Sequence, residues 1–215
     1  MYNDYMSYKA IVADNQQGRL RAYTGEPSET IRQAPMSKPE ILAYLNGALH
    51  DASLNKGKRI RFVQKDVRWL EMVQSLLKTI NYNSWIYKEG KTRSLYVLET
   101  LCSGLDFKFN PLSLVSQRDQ AAYIKGFFDA EGGVPRTMDR FYIQLAQKNY
   151  DKIAAIKKIL EHLGISSGKI HNPSRQADPD YWRIFISTKS WKLFAEIIGS
   201  LHPIKVKIFR TRMKI

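Results

Sequence analysis

The chain is poor in the residues that several common kinds of protein depend on. A single cysteine, Cys102, among 215 residues excludes an internal disulfide framework and a cysteine-based zinc site. No segment approaches the ~18 consecutive apolar residues that a membrane-spanning helix needs. Residues 1–9 are polar, include Asp4 and precede no apolar run. We therefore expect no secretory signal and a protein that stays inside the cell.

Acidic residues are scarce relative to basic ones. Asp and Glu number 20 against 34 Lys and Arg, which gives a net charge of +14. Such an excess costs self-repulsion, and its commonest compensation is a polyanionic partner. The charge predicts nucleic acid ahead of an acidic membrane surface, but it does not separate a DNA enzyme from an RNA-packaging protein. With 44% apolar residues, the chain has enough core material for one large domain or two small ones.

An internal repeat divides most of the chain into two related halves. The segment AYLNG at residues 43–47 returns as AYIKG at residues 122–126, and Gln64 and Lys65 return as Gln147 and Lys148. The 83-residue separation between Gln64 and Gln147 is kept by the apolar positions that follow, which have the spacing typical of an amphipathic helix. These positions are Leu70, Val73, Leu76, Leu77, Ile80 and Tyr82 in the first half, and Ile153, Ile156, Ile159, Leu160, Leu163 and Ile165 in the second. A register kept over several elements indicates a duplicated unit.

Each half is predicted to fold as helix, two strands, helix and two strands, with a final helix clear at residues 190–198. Aromatic and β-branched runs such as WRIFI at residues 182–186 are typical of strands. The predicted strands lie within residues 53–64, 84–88 and 94–100 in the first half and at 133–136, 140–147, 167–171 and 182–187 in the second. The expected fold class is therefore α+β, built from tandem αββαββα repeats.

The repeat also predicts the domain boundaries. Residues 1–37 have no counterpart in the second half and carry turn signals, so they are interpreted as an N-terminal extension that could hold one hairpin. Residues 38–103 form the first repeated subdomain, residues 104–118 a linker, and residues 119–215 the second subdomain.

The first helix of each repeat carries glycine at equivalent places, Gly47 and Gly126. Glycine inside a helix costs about 1 kcal/mol relative to alanine, so its use there needs a reason. Close packing of the two helices against each other provides one, and packing of each glycine against another core element is the alternative. If the helices pair, their C-terminal ends lie side by side. Carboxylates at such ends face the negative end of the helix dipole and require a cation, either a lysine or a divalent metal.

The sequence around those ends resembles a known family. Residues 123–133, YIKGFFDAEGG, are similar to the second motif of a single-chain LAGLIDADG homing endonuclease, and residues 41–53, ILAYLNGALHDAS, resemble a divergent first motif. The resemblance covers about residues 38–205. It implies two four-stranded antiparallel sheets that form a basic saddle over double-stranded DNA, with a site for Mg²⁺ or Mn²⁺ beneath the paired helix ends. It places Glu131 at the metal-binding acid, Lys65 and Lys148 at basic active-site positions, and Gln64 and Gln147 at polar positions beside them.

The first motif departs from the family pattern at its acid. Gapless alignment pairs Glu131 with Ala52, while the nearest carboxylate, Asp51, is one position away, about 100° of α-helical rotation. A helix end that tightens into a 3₁₀ turn would still bring Asp51 to the metal. Two outcomes remain open: a two-acid site, or a half-disabled site that nicks or only binds. His50, which aligns with Asp129, is interpreted as a helix-end contact rather than a catalyst.

Basic and amide side chains on the predicted strands and hairpins form the expected DNA-binding surface. Arg and Gln suit base edges in the major groove, and Lys suits phosphates. The alternative is a solvent-exposed charged face that binds no ligand. The four tryptophans fall on apolar faces and are expected to lie mostly in the core, and the basic tail 205–214 is expected to add phosphate contacts. The expected DNA-binding residues are Lys56, Lys58, Arg59, Arg61, Lys88, Lys91, Arg93, Arg136, Arg140, Gln144, Arg175, Gln176, Arg183, Lys205 and Lys207.

The sequence thus predicts a site-specific DNA endonuclease, encoded within an intron or an intein, that hydrolyses phosphodiesters with a divalent metal. Because both motifs lie in one chain, we expect a monomer. An RNA maturase, or a nicking or non-cleaving DNA-binding relative, is the alternative.

Overall fold

The computed structural model describes residues 35–90, 94–135 and 140–213, together with two short strands, β1 (Ala10–Val12) and β2 (Arg21–Tyr23). These two strands pair antiparallel, as the hairpin expected in the N-terminal extension. Residues Met1–Met36 form one compact unit and Ser37–Ile215 form another, so both repeats lie in a single unit. Among the described helices, none is long and apolar enough to span a lipid bilayer.

The first repeat forms a four-stranded antiparallel sheet backed by helices. Helix α1 starts after Ser37, whose hydroxyl and the Glu40 carboxylate reciprocally cap the first turn. Asp66 caps the second helix by accepting from the Arg68 amide. The elements are α1 (Lys38–Ala48), a 3₁₀ turn (Leu49–Asp51), β3 (Ala52–Asn55), β4 (Arg59–Gln64), α2 (Val67–Thr79), β5 (Ser84–Lys88) and β6 (Tyr96–Thr100). The strand order is β3-β4-β6-β5, and the β5 bounds match the sequence prediction.

The second repeat follows the same order with a smaller sheet, β7-β8-β9. The strand expected at 167–171 is reduced to two bridges, Ser167 with Ile186 and His171 with Arg183. Between these bridges, three residues on one side (168–170) lie opposite two on the other (184–185), so a bulge interrupts the ladder. A 3₁₀ turn (Pro111–Ser113) precedes this repeat. Its elements are α3 (Gln117–Glu131), β7 (Gly132–Gly133), β8 (Gln144–Gln147), α4 (Tyr150–His162), β9 (Trp182–Phe185), a 3₁₀ turn (Thr188–Ser190), α5 (Trp191–Ile197) and α6 (Pro203–Met213).

The apolar faces of α2 and α4 pack in the core as the repeat predicted. Leu70, Val73 and Leu77 of α2 are fully buried, and so are Ile153, Ile156 and Leu160 of α4. Each helix therefore covers one sheet with one apolar stripe, which leaves the other face of that sheet free for polar residues.

Helices α1 and α3 cross through their two glycines, so the predicted helix pairing is confirmed. A Cβ added to Gly47 would lie 2.8 Å from the Phe127 nitrogen and far inside contact distance of the Tyr123 carbonyl oxygen. A Cβ added to Gly126 would lie 3.0 Å from the Ala48 nitrogen and would overlap the Tyr44 carbonyl. Only hydrogen atoms fit between the two backbones here. Near the start of both helices, Arg118 Nε donates to Glu40 Oε1 at 2.6 Å and links the two repeats.

Candidate functional site

The two helices end at acidic residues that occupy equivalent places in the fold. Asp51 is the last residue of the 3₁₀ turn after α1 and directly precedes β3, while Glu131 ends α3 and directly precedes β7. Strand pairing supports the equivalence, because Ala52 faces Phe62 and Gly132 faces Leu145. In the sheets, therefore, Asp51 corresponds to Glu131, although the gapless sequence alignment pairs Ala52 with Glu131.

The 3₁₀ turn explains why the segment from Gly47 to Asp51 is one residue shorter than the segment from Gly126 to Glu131. From Gly126 to Glu131 the chain makes five α-helical steps, a rise of about 7.5 Å and a rotation of about 500°. From Gly47 to Asp51 it makes one α-helical and three 3₁₀ steps, which give about 7.5 Å and about 460°. Four uniform α-helical steps would give only about 6 Å and 400°. The tighter turn thus brings Asp51 to nearly the same height and direction as Glu131.

The two carboxyl groups are close enough to influence each other electrostatically. Burial, together with the negative charge of Asp51, raises the pKa of Glu131 to about 7, whereas Lys205 opposes the shift. Burial also raises the pKa of Asp51 to about 6, opposed by Lys205 and by the hydrogen bond from Gln64. The raised pKa values show that nearby cations do not fully compensate the charge of the two carboxylates in the free protein. Such perturbed pKa values are common at functional sites.

Lys205 lies at the end of α3 and interacts electrostatically with both acids. Its ammonium donates to the Asp129 carbonyl at 2.9 Å and to the Phe128 carbonyl, which belong to the last turn of that helix. Burial lowers the pKa of Lys205 to about 8, and the charges of Asp129, Asp51 and Glu131 counteract this effect. It is therefore the cation that compensates the negative end of the α3 dipole. The sequence predicted a DNA-phosphate contact for Lys205, but its ammonium binds backbone carbonyls instead.

The two predicted glutamines have different partners. Gln64 donates through Nε2 to Asp51 Oδ2 at 2.6 Å, within the first repeat. Gln147, in the register position equivalent to Gln64, donates through Nε2 to His50 Nδ1 at 2.9 Å, across the repeat boundary. Burial lowers the pKa of His50 to about 3, with a contribution from the charge of Lys152, so its imidazole is neutral. His50 is thus the helix-end contact that the sequence indicated, and its partner is a predicted active-site residue.

Lys65 and Lys148 directly follow the ends of β4 and β8, beside the two glutamines. Both side chains are exposed. Lys148 Nζ lies 3.8 Å from Asp178 Oδ2, a loose ion pair on the surface. Neither lysine is committed to a buried partner among the contacts described, which leaves both able to reach a phosphate.

Asp129 is a buried carboxylate that the sequence left without a role. It accepts from the Tyr44 hydroxyl and from the Leu201 amide, each at 2.8 Å, and from the Ser200 hydroxyl. Trp69 Nε1 in turn donates to the Tyr44 hydroxyl at 3.0 Å. Asp129 thereby joins α1 to the loop before α6, the helix that carries Lys205. The sequence signal for this network is limited to the aligned tyrosines, Tyr44 and Tyr123.

The first sheet presents the predicted basic face, with acidic partners that the sequence did not reveal. Arg59 and Arg61 lie on the same side of β4, as the alternation predicted, and Ser53 and Glu99 pair with Arg61 on that side. Glu99 is only 2% exposed and accepts from Asn55 at 2.8 Å and from Arg59 at 3.3 Å, while Arg61 forms an ion pair with Glu89. The basic face is therefore partly neutralised and pre-organised in the free protein.

Trp85 corrects the expectation that all four tryptophans are mostly core. It is 37% exposed, it pairs with Glu99 on the basic face, and the Arg59 guanidinium lies 5.4 Å from its ring centroid. Trp69, in contrast, is fully buried. Alternation of β5 places Trp85 opposite the helix-covered side of the sheet.

In the second sheet, Gln144 and Arg183 contact each other on the solvent side. Arg183 Nη1 donates to Gln144 Oε1 at 3.3 Å, and the Arg183 guanidinium lies 5.3 Å from the Phe185 ring centroid. Arg140 precedes β8 and is exposed, so it does not share the strand face that the sequence assigned to it.

The remaining expected DNA contacts lie mostly on turns and at the surface. Lys56 and Lys58 flank Gly57 in the β3–β4 turn, where Lys56 and Gly57 both have positive φ. Lys207 is exposed on α6, two residues or about 200° of helical rotation from Lys205. Lys88, Arg175 and Gln176 are also exposed. Lys91, Arg93 and Arg136 lie outside the described residues.

Comparison with known proteins agrees with this architecture. Residues 118–199 match a family model described as a LAGLIDADG-like domain. The chain is 28% identical over 190 residues to homing endonuclease I-ApeI of Aeropyrum pernix, covering 77% of this chain and 84% of that protein.

Two solved structures have a similar fold. I-DmoI in complex with DNA and Mn matches with a TM-score of 0.57 and 24% identity, covering 76% of this chain and 98% of that one. The N-terminal LAGLIDADG domain of DUF199/WhiA matches with a TM-score of 0.61 and 18% identity, covering 78% of this chain and 85% of that one. The resemblance to the LAGLIDADG family is therefore confirmed: residues 118–199 match the family model, and the similarity in sequence and fold extends over most of the chain.

Proposed function

We propose that the protein is a site-specific endonuclease that cuts both strands of double-stranded DNA. The observation that carries this proposal is the juxtaposition of Asp51 and Glu131 at the ends of two helices that cross at glycines. Each acid leads directly into a strand of a sheet whose solvent side carries arginine or glutamine. The similarity to a homing endonuclease over 77% of the chain supports the same activity.

The two acids suit a divalent cation of the magnesium type. Among the described residues, no group of three or more His, Cys, Asp or Glu side chains forms a complete metal cage. Mg²⁺ usually binds through one or two carboxylates together with water and substrate phosphate oxygens, which is what Asp51 and Glu131 could offer when DNA is bound. Bound there, Mg²⁺ or Mn²⁺ would activate a water nucleophile and stabilise charge on the leaving oxygen.

The surrounding side chains have roles of their own in this proposal. Lys65 and Lys148 stabilise negative charge that develops on the two scissile phosphates. Gln64 fixes the Asp51 carboxylate by donating to Oδ2. Lys205 holds the end of α3 in place and limits repulsion between the acids in the absence of DNA.

The two basic sheet faces would bind the DNA duplex on either side of this site. Arg59, Arg61 and Gln144 are placed to contact base edges, and Lys56, Lys58 and Lys88 to contact phosphates. The division at residues 37/38 and 103/104 suits this arrangement, with one sheet from each subdomain, whereas the boundary at 118/119 falls just inside α3, which begins at Gln117. Because both motif helices come from one chain, a single copy suffices for both strands, and we propose a monomer.

A nicking or non-cleaving DNA-binding relative is the second candidate, and one observation favours it. The two halves of the site are unequal, since Asp51 is shorter than Glu131 and is tied to Gln64. Such a protein would use the same surface and cut one strand or neither.

Strand-resolved cleavage decides between these functions. The substrate is DNA that joins the sequences flanking the insertion point of the gene, labelled separately on each strand and incubated with Mg²⁺. Glu131→Gln keeps the size of the side chain but removes its charge, so cleavage of at least one strand should disappear while binding persists or tightens. Asp51→Asn should abolish cleavage of the other strand.

The outcomes are distinct. If Asp51→Asn cuts both strands at the wild-type rate, Asp51 is not a metal ligand. A wild type that cuts neither strand with Mg²⁺ or Mn²⁺ replaces the nuclease by a binding protein.

A further inference from the structure

His50 belongs to the first repeat but contacts the glutamine of the second. We propose that His50 is a positioning residue that orients the Gln147 amide, and thereby controls cleavage of the DNA strand that depends on Glu131. This inference rests on the proposed nuclease function. It assigns to the first-motif helix an effect on the opposite half of the site.

The hydrogen bonds around Gln147 fix which way its amide points. Its Oε1 accepts from the Lys148 backbone amide at 2.7 Å, and its Nε2 donates to His50 Nδ1 at 2.9 Å. His50 Nδ1 is therefore an acceptor, which makes Nε2 the protonated ring nitrogen. That nitrogen lies 2.9 Å from the Tyr123 hydroxyl and donates to it. A chain of three side chains thus holds the amide in one orientation.

This orientation determines what Gln147 can offer to DNA. One hydrogen on Nε2 is used by His50, which leaves the other available to an outside acceptor. A phosphodiester has only acceptor oxygens, so an outward N–H is favourable and an outward carbonyl oxygen would be repelled. Rotation of the amide by half a turn, which the bonds to His50 and Lys148 oppose, would exchange the two.

Comparison of the two repeats shows that the hydrogen bond between Gln147 and His50 has no counterpart at Gln64, the equivalent glutamine of the first repeat. Tyr44 and Tyr123 occupy equivalent helix positions, and each hydrogen-bonds across the helix pair to the residue at the equivalent place, Asp129 or His50. Asp129 is saturated by Tyr44, Ser200 and Leu201. Gln64, the counterpart of Gln147, instead binds Asp51. The exchange of aspartate for histidine at position 50 creates the link to Gln147.

Two substitutions at His50 separate hydrogen bonding from packing. Asparagine places a polar atom where the imidazole carries Nδ1, whereas glutamine places one where it carries Nε2. His50→Asn can therefore keep the bond to Gln147, and His50→Gln can keep only the bond to Tyr123. Both lose the edge-to-face ring contact with Phe127, whose centroid is 4.7 Å away, so that loss is matched between them.

The test measures cleavage of each strand with Mg²⁺, and Glu131→Gln identifies the strand that depends on Glu131. His50→Gln should slow this strand about five- to tenfold, the effect of one lost hydrogen bond, and change the other strand by less than about twofold. Nicked product should accumulate. His50→Asn should restore most of the rate on the affected strand. Equal slowing of both strands, or equal rates for His50→Asn and His50→Gln, would overturn the proposal in favour of a packing role.

A second readout does not require cleavage. Nitrogen-15 spectra of the imidazole should show His50 protonated on Nε2 and not on Nδ1 in the free protein. Gln147→Leu removes the donor to Nδ1, so the Nδ1 resonance should shift toward that of an acceptor nitrogen without a hydrogen bond. A wild-type His50 protonated on Nδ1 would overturn the inference. Absence of cleavage by the wild type together with the expected tautomer would contradict the nuclease function, but not the positioning of Gln147.

Discussion

Replacing Gly126 by alanine should separate the two central helices. The added Cβ would lie 2.8 Å from the Tyr44 carbonyl carbon and 3.0 Å from the Ala48 nitrogen, and it would overlap the Tyr44 carbonyl oxygen. These are backbone atoms of α1, so no side-chain rotation can make room. Either the helices move apart or both backbones deform.

The expected cost combines two opposing effects. Overpacking in a well-packed interior costs about 1–3 kcal/mol, and the contact with a fixed backbone places Gly126→Ala at the upper end. Alanine recovers about 1 kcal/mol of helix propensity. The net loss of unfolding free energy should therefore be about 2 kcal/mol, which corresponds to a fall in Tm of about 4–8 °C for a unit of this size. Cleavage should fall more steeply, because a 1 Å displacement of reacting groups can cost about 100-fold in rate.

Thermal unfolding followed by circular dichroism measures the first effect and strand-resolved cleavage the second. Gly168→Ala is the matched control, since its nearest neighbour, the Phe185 carbonyl oxygen, lies at an ordinary 3.7 Å. The control should leave Tm within about 2 °C, as expected for a surface change of 0.5 kcal/mol or less. An unchanged or higher Tm for Gly126→Ala would show that the helices do not cross at this glycine.

Two further predictions concern pH and salt. At limiting Mg²⁺ concentration, cleavage should increase as the pH rises from about 6 to about 7, because the raised pKa values of Asp51 and Glu131 keep both groups protonated below that range and a metal needs them ionised. Asp51→Asn removes a like charge and should shift the profile of the Glu131-dependent strand to lower pH; a shift to higher pH would contradict the electrostatic coupling. In a salt titration of DNA binding, Lys88→Ala or Arg175→Ala should each make the log-log slope shallower by about one. Lys78→Ala, an exposed lysine near the end of the helix on the other side of the first sheet, should leave that slope unchanged.

Patterns that depend on local periodicity could be predicted from the sequence. The apolar stripes of α2 and α4, the pairing of α1 with α3 at their glycines, and the side of β4 that carries Arg59 and Arg61 all follow from helical or strand alternation. The internal repeat strengthens these predictions, because the same spacing of apolar residues and glycines occurs independently in each half.

Features that depend on long-range contacts could not be predicted. Lys205 is more than 70 residues from the helix end it caps, and in the sequence it looks like any other basic residue of a basic tail. Glu99 sits in an apolar strand, and only the strand pairing shows that it holds Asn55 and Arg59. The helix that the tail forms, which buries Phe209, was not among the predictions from the sequence.

The two halves are built alike but differ at their functional centres, and the differences share one origin. In the second repeat, an α-helix continues to Glu131, and the buried Asp129 two residues earlier is bound by Tyr44 and Ser200. In the first repeat, the last turn tightens to 3₁₀, which moves the acid one position earlier, to Asp51, next to His50. A second buried aspartate at position 50 would place another carboxylate directly beside Asp51 and facing α3. Neutral histidine avoids that additional negative charge and still accepts the hydrogen bond from Gln147 Nε2 at its Nδ1. The exchange at position 50 thus compensates for the shortened motif and ties the two halves of the site together.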